Sequence, residues 1–394
     1  MNAMKVLHTI AARDWGGIAC RVVDQALWTN RNGHECWLAC PSDSAVAAGA
    51  RRAGVPTIGF DFDRPFAPST ILALRHLVRR LDCQVIETHT GRCANAAMFC
   101  RDRAVVIRTR HTTQTVKPSL TRYLRWRMAW DWTIVTADVI AQDLLAAGLV
   151  PHSRLDVIGE WAAERFFDRS SWPVWRAETR QSLGVAEDDI LVGSVGMLRP
   201  EKGFDHLLRA VATLSTRCPR LKTVIVGSAA GDAGWEHHLR SLASELGLDG
   251  RVIFTGYRSD VAPLLQALDL VAVPSTFEAQ SRVIPEAFAS ARPVVASDVG
   301  GIGELVLDGV TGWLVPPASP ESLSRVIASV YEDPGQALAI RTVAGRFATE
   351  RLTIDAGMHA HMAVYEAAWA CRRTSPFRHL VLSDLRSRAA PVNR

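Results

Sequence analysis

Four tyrosines stand against twelve tryptophans in this 394-residue chain, and several other features are scarce or missing. No apolar run approaches the roughly 18 residues that a membrane-spanning helix needs. The N-terminal apolar stretch, Met1 to Ile10, runs into Arg13, Asp14 and Trp15 without a small-residue cleavage site. It therefore reads as a first strand rather than a signal peptide. No Cys-x-x-Cys pair occurs among the eight cysteines, so structural zinc is not expected and reduced thiols are. No 20–50-residue repeat or low-complexity tract is visible. His-Glu-x-x-His, Walker A and Gly-x-Ser-x-Gly patterns are absent, which removes zinc-hydrolase, P-loop kinase and α/β-hydrolase readings. Charge of one sign is also scarce. With 45 Lys+Arg against 40 Asp+Glu the net charge is +5, suited to anionic small molecules and too diffuse to argue for nucleic acid.

What is present is an ordinary globular composition, 48% apolar and 22% charged, long enough for two or three domains. Short apolar runs alternate with helical segments. The first half has candidate strands at Lys5–Thr9, Cys36–Ala39, Thr57–Phe60, Gln84–Glu87, Val105–Thr109 and Thr133–Thr136. The second has them at Ile190–Gly196, Leu221–Gly227, Val252–Thr255, Leu270–Val273 and Val294–Ser297. Strands without polar alternation, separated by helices, indicate parallel sheets covered on both faces. The alternation lapses over 159–189, so the expectation is an α/β protein of two Rossmann-like, doubly wound domains facing a central cleft. The expected boundaries are an acceptor-side domain over 1–165, a linker over 166–189 and a nucleotide-binding domain over 190–350. A C-terminal helix over 351–372 returns to the first domain, and 373–394 forms a loose tail.

The richest stretch is 274–316. Pro274 and Ser275 end a buried strand, and Pro285 must lie in the first turn of the next helix. That helix starts near Arg282, leaving the N–H groups of Arg282, Val283 and Ile284 to form an anion site with Ser281 beside them. Glu278 and Glu286 flank it. Carboxylates beside a phosphate site suit polyol hydroxyls, a ribose on one side and a sugar on the other. The alternative is that both only cap the helix.

Glu278, then Glu286-Ala287 seven residues on, Pro293–Ala296, Gly300–Glu304, Asp308-Gly309-x-Thr311-Gly312 and Leu314–Pro316 closely resemble the donor region of retaining GT-B glycosyltransferases of family 4. The segment Val195–Gly203 is similar to that family's phosphate loop. There Lys202 and Arg199 would neutralise the donor diphosphate, Arg199 standing in for the Arg that the family carries where this chain has Met197. Arg258, in Gly256-Tyr257-Arg258-x-Asp260, matches the loop beside the donor base, which backbone groups would read. Gly16 and Gly17 fit the family's Gly-Gly loop, on the acceptor and donor side respectively, although the Glu frequent two residues on is Ala19 here. Asn32–Glu35 fits a structural Gly-His turn. Thr109–Thr113 is similar to a segment whose His lies beside the transferred sugar, which assigns that role to His111. His89 is read as an acceptor-side residue.

The resemblance implies a hexosyltransferase that retains anomeric configuration and needs no metal or other cofactor. Its partners would be a nucleotide-sugar donor and a glycan or lipid-linked acceptor, in lipopolysaccharide or other cell-envelope glycan synthesis, and no nucleic acid. A nucleotide-sugar epimerase, a phosphorylase-type enzyme and a non-catalytic nucleotide-binding homologue remain as alternatives. Asp61-x-Asp63 spells a metal motif of another glycosyltransferase fold but lies far from the phosphate site. The basic aromatic segment 117–132 either packs Leu120, Leu124 and Met128 into the first domain or touches an anionic membrane. The expected location is the cytoplasm, and the second reading adds a peripheral position at the inner face of the cytoplasmic membrane.

Overall fold

A computed structural model describes residues 3–117, 119–229 and 233–374. The chain divides into two compact units, each built on an all-parallel sheet. In unit 1 the strands are β1 (Lys5–Thr9), β2 (Glu35–Cys40), β3 (Thr57–Gly59), β4 (Val85–Thr88), β5 (Val105–Arg110), β6 (Trp132–Val135) and β7 (Leu155–Val157), in the order β3-β2-β1-β4-β5-β6-β7. In unit 2 they are β8 (Ile190–Val195), β9 (Leu221–Val226), β10 (Val252–Gly256), β11 (Leu270–Val273), β12 (Val294–Ser297) and β13 (Trp313–Val315), in the order β10-β9-β8-β11-β12-β13. Every residue of β4, β11 and β12 is buried, as helices on both faces require. The expected fold class is thus the observed one. β7 and β13 escaped the sequence reading because three residues carry too little pattern.

Both orders reverse direction at one point, between β1 and β4 in unit 1 and between β8 and β11 in unit 2. Open parallel sheets bind ligands outside the strand ends at such a switch. The segments that follow those four strands contain Gly16 and Gly17, His89, Arg199 and Lys202, and Glu278 to Ile284.

Residues 159–189, expected as a boundary and linker, fold into unit 2. The reason is Arg180 of the helix Trp172–Leu183, 1% exposed. Its guanidinium donates to the carbonyls of Ala267 at 2.9 Å and Ala186 at 2.6 Å and pairs with Asp269 at 3.3 Å. A long helix, Ile354–Thr374, follows, and from Met358 onward it belongs to unit 1. The tail expected over 373–394 falls outside the described residues beyond Thr374.

The segment 117–132 resolves differently from its packing alternative. In the helix Leu120–Met128, Trp126 is buried, whereas Leu120, Leu124 and Met128 are exposed. The bulky rings took the core side, and Trp126 meets Trp130 edge-on at 5.1 Å. No helix among the described residues is long and apolar enough to cross a membrane. None of the eight cysteines forms a disulfide among the described residues.

Candidate functional site

In unit 2 three loops lock together at the sheet's switch point. Gly203 has φ 66°, and a Cβ there would lie 2.0 Å from the Pro274 carbonyl oxygen. Gly300, at φ 56°, would likewise meet the Glu278 carbonyl oxygen at 1.8 Å. Only glycine permits these approaches. They are reinforced by Thr276 N–H donating to Glu201 O at 2.9 Å and Gly301 N–H to Ala279 O at 2.6 Å. The loops after β8, β11 and β12 therefore behave as one platform.

On that platform the Lys202 ammonium donates directly to Glu278 Oε2. Two residues expected from separate motifs, 76 positions apart, thus meet. Arg199 is exposed and only loosely paired, 3.9 Å from Glu201. The helix after β11 is Val283–Ala289, with Arg282 as its N-cap, close to the expected start. One expectation needs correction: the Ile284 amide is not available to a ligand, because it donates to Ser281 O at 3.2 Å in the entering turn. Arg282 contributes its side chain instead, Nε donating at 2.8 Å to Glu286 Oε1. That bond orients a carboxylate which is 6% exposed. The Arg258 side chain is held by Asp260 at 2.9 Å. Gln280, missed in the sequence, receives Glu160 N–H at 2.6 Å and donates to Glu304 at 3.1 Å.

In unit 1, Gly16 caps the helix Gly17–Arg31, and nothing lies within 4 Å of a Cβ built on Gly17. His89 departs from its expected acceptor-side role. It is 4% exposed, with Nε2 on His8 Nδ1 at 2.9 Å and Nδ1 on His111 Nε2 at 3.1 Å. Both ring nitrogens are consumed, so His89 positions His111 rather than meeting a ligand. His111 Nδ1 has no partner among the described residues.

Behind this ring chain sits Glu87, fully buried, taking hydroxyl hydrogen bonds from Thr109 and from Tyr365 of the C-terminal helix. His361 Nδ1 and His8 Nδ1 each lie 3.7 Å from its carboxylate. Burial raises the Glu87 pKa, but the surrounding His361, His89 and His8 rings and the Thr109 hydroxyl outweigh it and hold the carboxyl below its ordinary value. Burial pushes His111 and His361 down to about 3 each, against the opposing pull of Glu87. Burial, then Glu87, raises Tyr365 well above its ordinary value. The cluster is therefore one anion among neutral rings and hydroxyls at neutral pH.

His8, Glu87 and His89 place ligating atoms within 4.8 Å of one another. Within the cluster His8 Nδ1 meets His89 Nε2 and Glu87 accepts from Thr109 and Tyr365, while His8 Nε2 is buried without a partner among the described residues. The sequence reading missed His8, Glu87, His361 and Tyr365, because their meeting depends on strand order and on the returning helix. Asp63 of the Asp-x-Asp pairs with Arg92 at 2.6 Å and Arg13 at 3.8 Å, and Asp61 Oδ1 caps the Asp63 amide at 2.8 Å.

Against known proteins, the family model Glycosyl transferases group 1 matches residues 176–346, and Glycosyltransferase Family 4 matches 15–160. A D-inositol 3-phosphate glycosyltransferase of Mycobacterium sp. (strain KMS) is 31% identical over 77% of this chain and 74% of its own. The chain belongs to the group 1 glycosyltransferases. A D-inositol 3-phosphate glycosyltransferase of Corynebacterium glutamicum (strain R) is 32% identical, aligning over 63% of this glycosyltransferase and 64% of its own length, just under two thirds. Among solved structures, Anabaena Alr3699/HepE in complex with UDP and glucose superposes with a TM-score of 0.80 at 25% identity, covering 92% of this chain and all of that one (100%).

Proposed function

We propose that this glycosyltransferase moves a hexosyl group from a nucleotide-sugar to a hydroxyl acceptor with retention at the anomeric carbon, without a metal. The observation that carries the reading is the Lys202–Glu278 pair on a glycine-locked platform at the switch point of unit 2. Lys202 and Arg199 compensate charge growing on the departing diphosphate. Glu286, oriented by Arg282, takes ribose hydroxyls, and Glu278 takes donor-sugar hydroxyls and steadies positive charge at the anomeric carbon. The bond from that carbon to the diphosphate breaks and the bond to the acceptor oxygen forms on the same face. The acceptor proton passes to the leaving phosphate oxygen, so no separate base is needed. His111 Nδ1, buried and without a partner among the described residues, is the ring atom left to take a hydrogen bond from or to a substrate hydroxyl.

HepE is described with UDP and with UDP-glucose, which supports a uridine nucleotide as donor. Relatives named for D-inositol 3-phosphate support a polyol hydroxyl as acceptor. A lipid-linked or lipopolysaccharide acceptor is the second reading, with the enzyme peripheral at the cytoplasmic face of the membrane. Its support is the exposure of Leu120, Tyr123, Leu124 and Met128 beside Arg122 and Arg127.

Nucleotide release from a panel of nucleotide-sugars, with and without polyol acceptors, tests the reading. Acceptor-dependent turnover with an α-donor giving an α-product supports it. Turnover of donor alone to an epimer, or loss of turnover on chelation of divalent cations, overturns it.

A further inference from the structure

A second concave surface in unit 1 belongs to none of the groups assigned above. It is a cavity of about 420 Å³ walled by β5, the helix Gly91–Ala97 and the helix Leu120–Met128. That size is in the usual range for a small-ligand pocket. Its lining holds five cations, Arg108, Arg110, Lys117, Arg122 and Arg125, and no carboxylate.

Outside the lining, Asp143 is the carboxylate that acts on Arg110. Among the described residues none of the five forms an ion pair. Arg125 donates to the Asn95 amide oxygen at 3.3 Å, Arg122 to the Lys117 carbonyl at 3.2 Å and Arg110 to the Gln114 carbonyl. All three acceptors are neutral. Arg110 Nε is buried without a partner. The Arg108 side chain makes no hydrogen bond among the described residues. Its guanidinium carbon instead lies over Trp126, 3.9 Å from the ring centroid, and over Trp130 at 4.5 Å. Cation–π contact holds the guanidinium in place without using its N–H groups. Burial, then the charges of Arg110 and Arg125, push the Arg108 pKa down to about 9. Gathering cations that lack an ion-pair partner in a partly desolvated pocket is costly unless an anion joins them.

We propose that this pocket binds a phosphate ester group, with the Arg108 and Arg110 forks as its principal donors and Lys117, Arg122 and Arg125 supplying further positive charge. A phosphate monoester brings close to two negative charges and three terminal oxygens, which suit convergent guanidinium forks better than a single carboxylate does. Arg110 directly precedes His111 in the chain, so the phosphate belongs to the acceptor rather than to the donor. That last step rests on the transferase reading; the binding itself does not. The phosphate ester has two possible sources, a small phosphorylated polyol or a phospholipid headgroup.

The test uses the full chain saturated with UDP, so that the donor site does not report. Inorganic phosphate and glucose 6-phosphate are titrated calorimetrically in one arm. Sedimentation with phosphatidylcholine vesicles, plain or doped with phosphatidic acid, forms the other. Wild type is compared with Arg108→Gln, Arg110→Gln and the solvent-exposed Arg122→Gln, the last guarding against misfolding of the first two. Loss of a charged hydrogen-bonding partner should weaken phosphate binding about tenfold in Arg108→Gln and Arg110→Gln and less in Arg122→Gln, with UDP affinity unchanged. Variant-sensitive binding of the soluble phosphates assigns a soluble acceptor, and variant-sensitive binding of the doped vesicles alone assigns a lipid headgroup. Either supports the pocket. Equal binding by wild type and all three variants, or none in either arm, overturns it. Failure of wild type to bind UDP would sink the donor reading while leaving the phosphate result standing.

Discussion

The donor platform of unit 2 and the histidine–carboxylate cluster of unit 1 are built in opposite ways. The platform holds its charges near solvent, with Lys202 and Glu278 side chains 27% and 14% exposed, on loops fixed by backbone contact. The cluster is sealed. The side chains of His8, Glu87, His89 and His361 are 0% exposed, and they come from three separate regions of the chain. A site that must meet a polyanion keeps mobile charge available. A site that must hold one ring in place excludes water, so that hydrogen bonds inside it are strong and misplaced protons are costly.

Acid should break this comparison most strongly. His111 and His361 have folded pKa values of about 3, below the ordinary 6.5. The unfolded chain therefore takes up protons that the folded cluster refuses. Their contribution to stability is complete above pH 6.5 and is lost as pH falls toward 3. From pH 6.5 to 5 each ring should cost about 2 kcal/mol, about 4 together. The fall should appear as a lower urea midpoint at pH 5 than at pH 7. An unchanged midpoint would mean that the rings are not sealed.

On the platform, Lys202→Ala and Glu278→Ala should each lower kcat/KM about 10²–10³-fold, with thermal stability nearly unchanged. Wild-type turnover in both would remove these residues from the chemistry. A smaller effect is expected for Tyr365→Phe, which strips a hydroxyl from buried Glu87 and should lower the unfolding free energy by about 1.5–3 kcal/mol in urea titration. Its donor affinity should stay at the wild-type value, and a donor defect would show that cluster and platform are not separable. Least of all, Asp63→Ala removes an exposed ion pair and should change stability by about 0–1 kcal/mol, with activity intact in excess chelator. Loss of activity there would revive a metal at Asp61 and Asp63.

The two regions also differ in how far sequence alone reveals them. The platform was legible because its parts are contiguous: a proline fixes the helix start, glycines mark close approaches, and carboxylates stand at short spacing. Even there the Ile284 amide proved committed to Ser281, a detail of turn geometry. The cluster was half legible. His89 and His111 stand out at strand ends, but Glu87 reads as one residue of a buried strand. Neither His8 nor Tyr365 carries a local signal. The same holds for the Arg108 pocket, whose cations are scattered over 108–125 and gather only once the two tryptophans behind them are placed.

By itself the sequence determined the parallel α/β class, eleven of the thirteen strands within about a residue at either end, and the donor motif, because buried strands and phosphate loops are short-range patterns. The tertiary structure alone decided which helix face is wet, that 159–189 is part of unit 2, and which buried groups share a proton-poor cluster. These depend on strand order and on competition for the core. The same forces sorted the tryptophan excess, driving Trp126 and Trp130 inward while Leu120 and Met128 stayed in water.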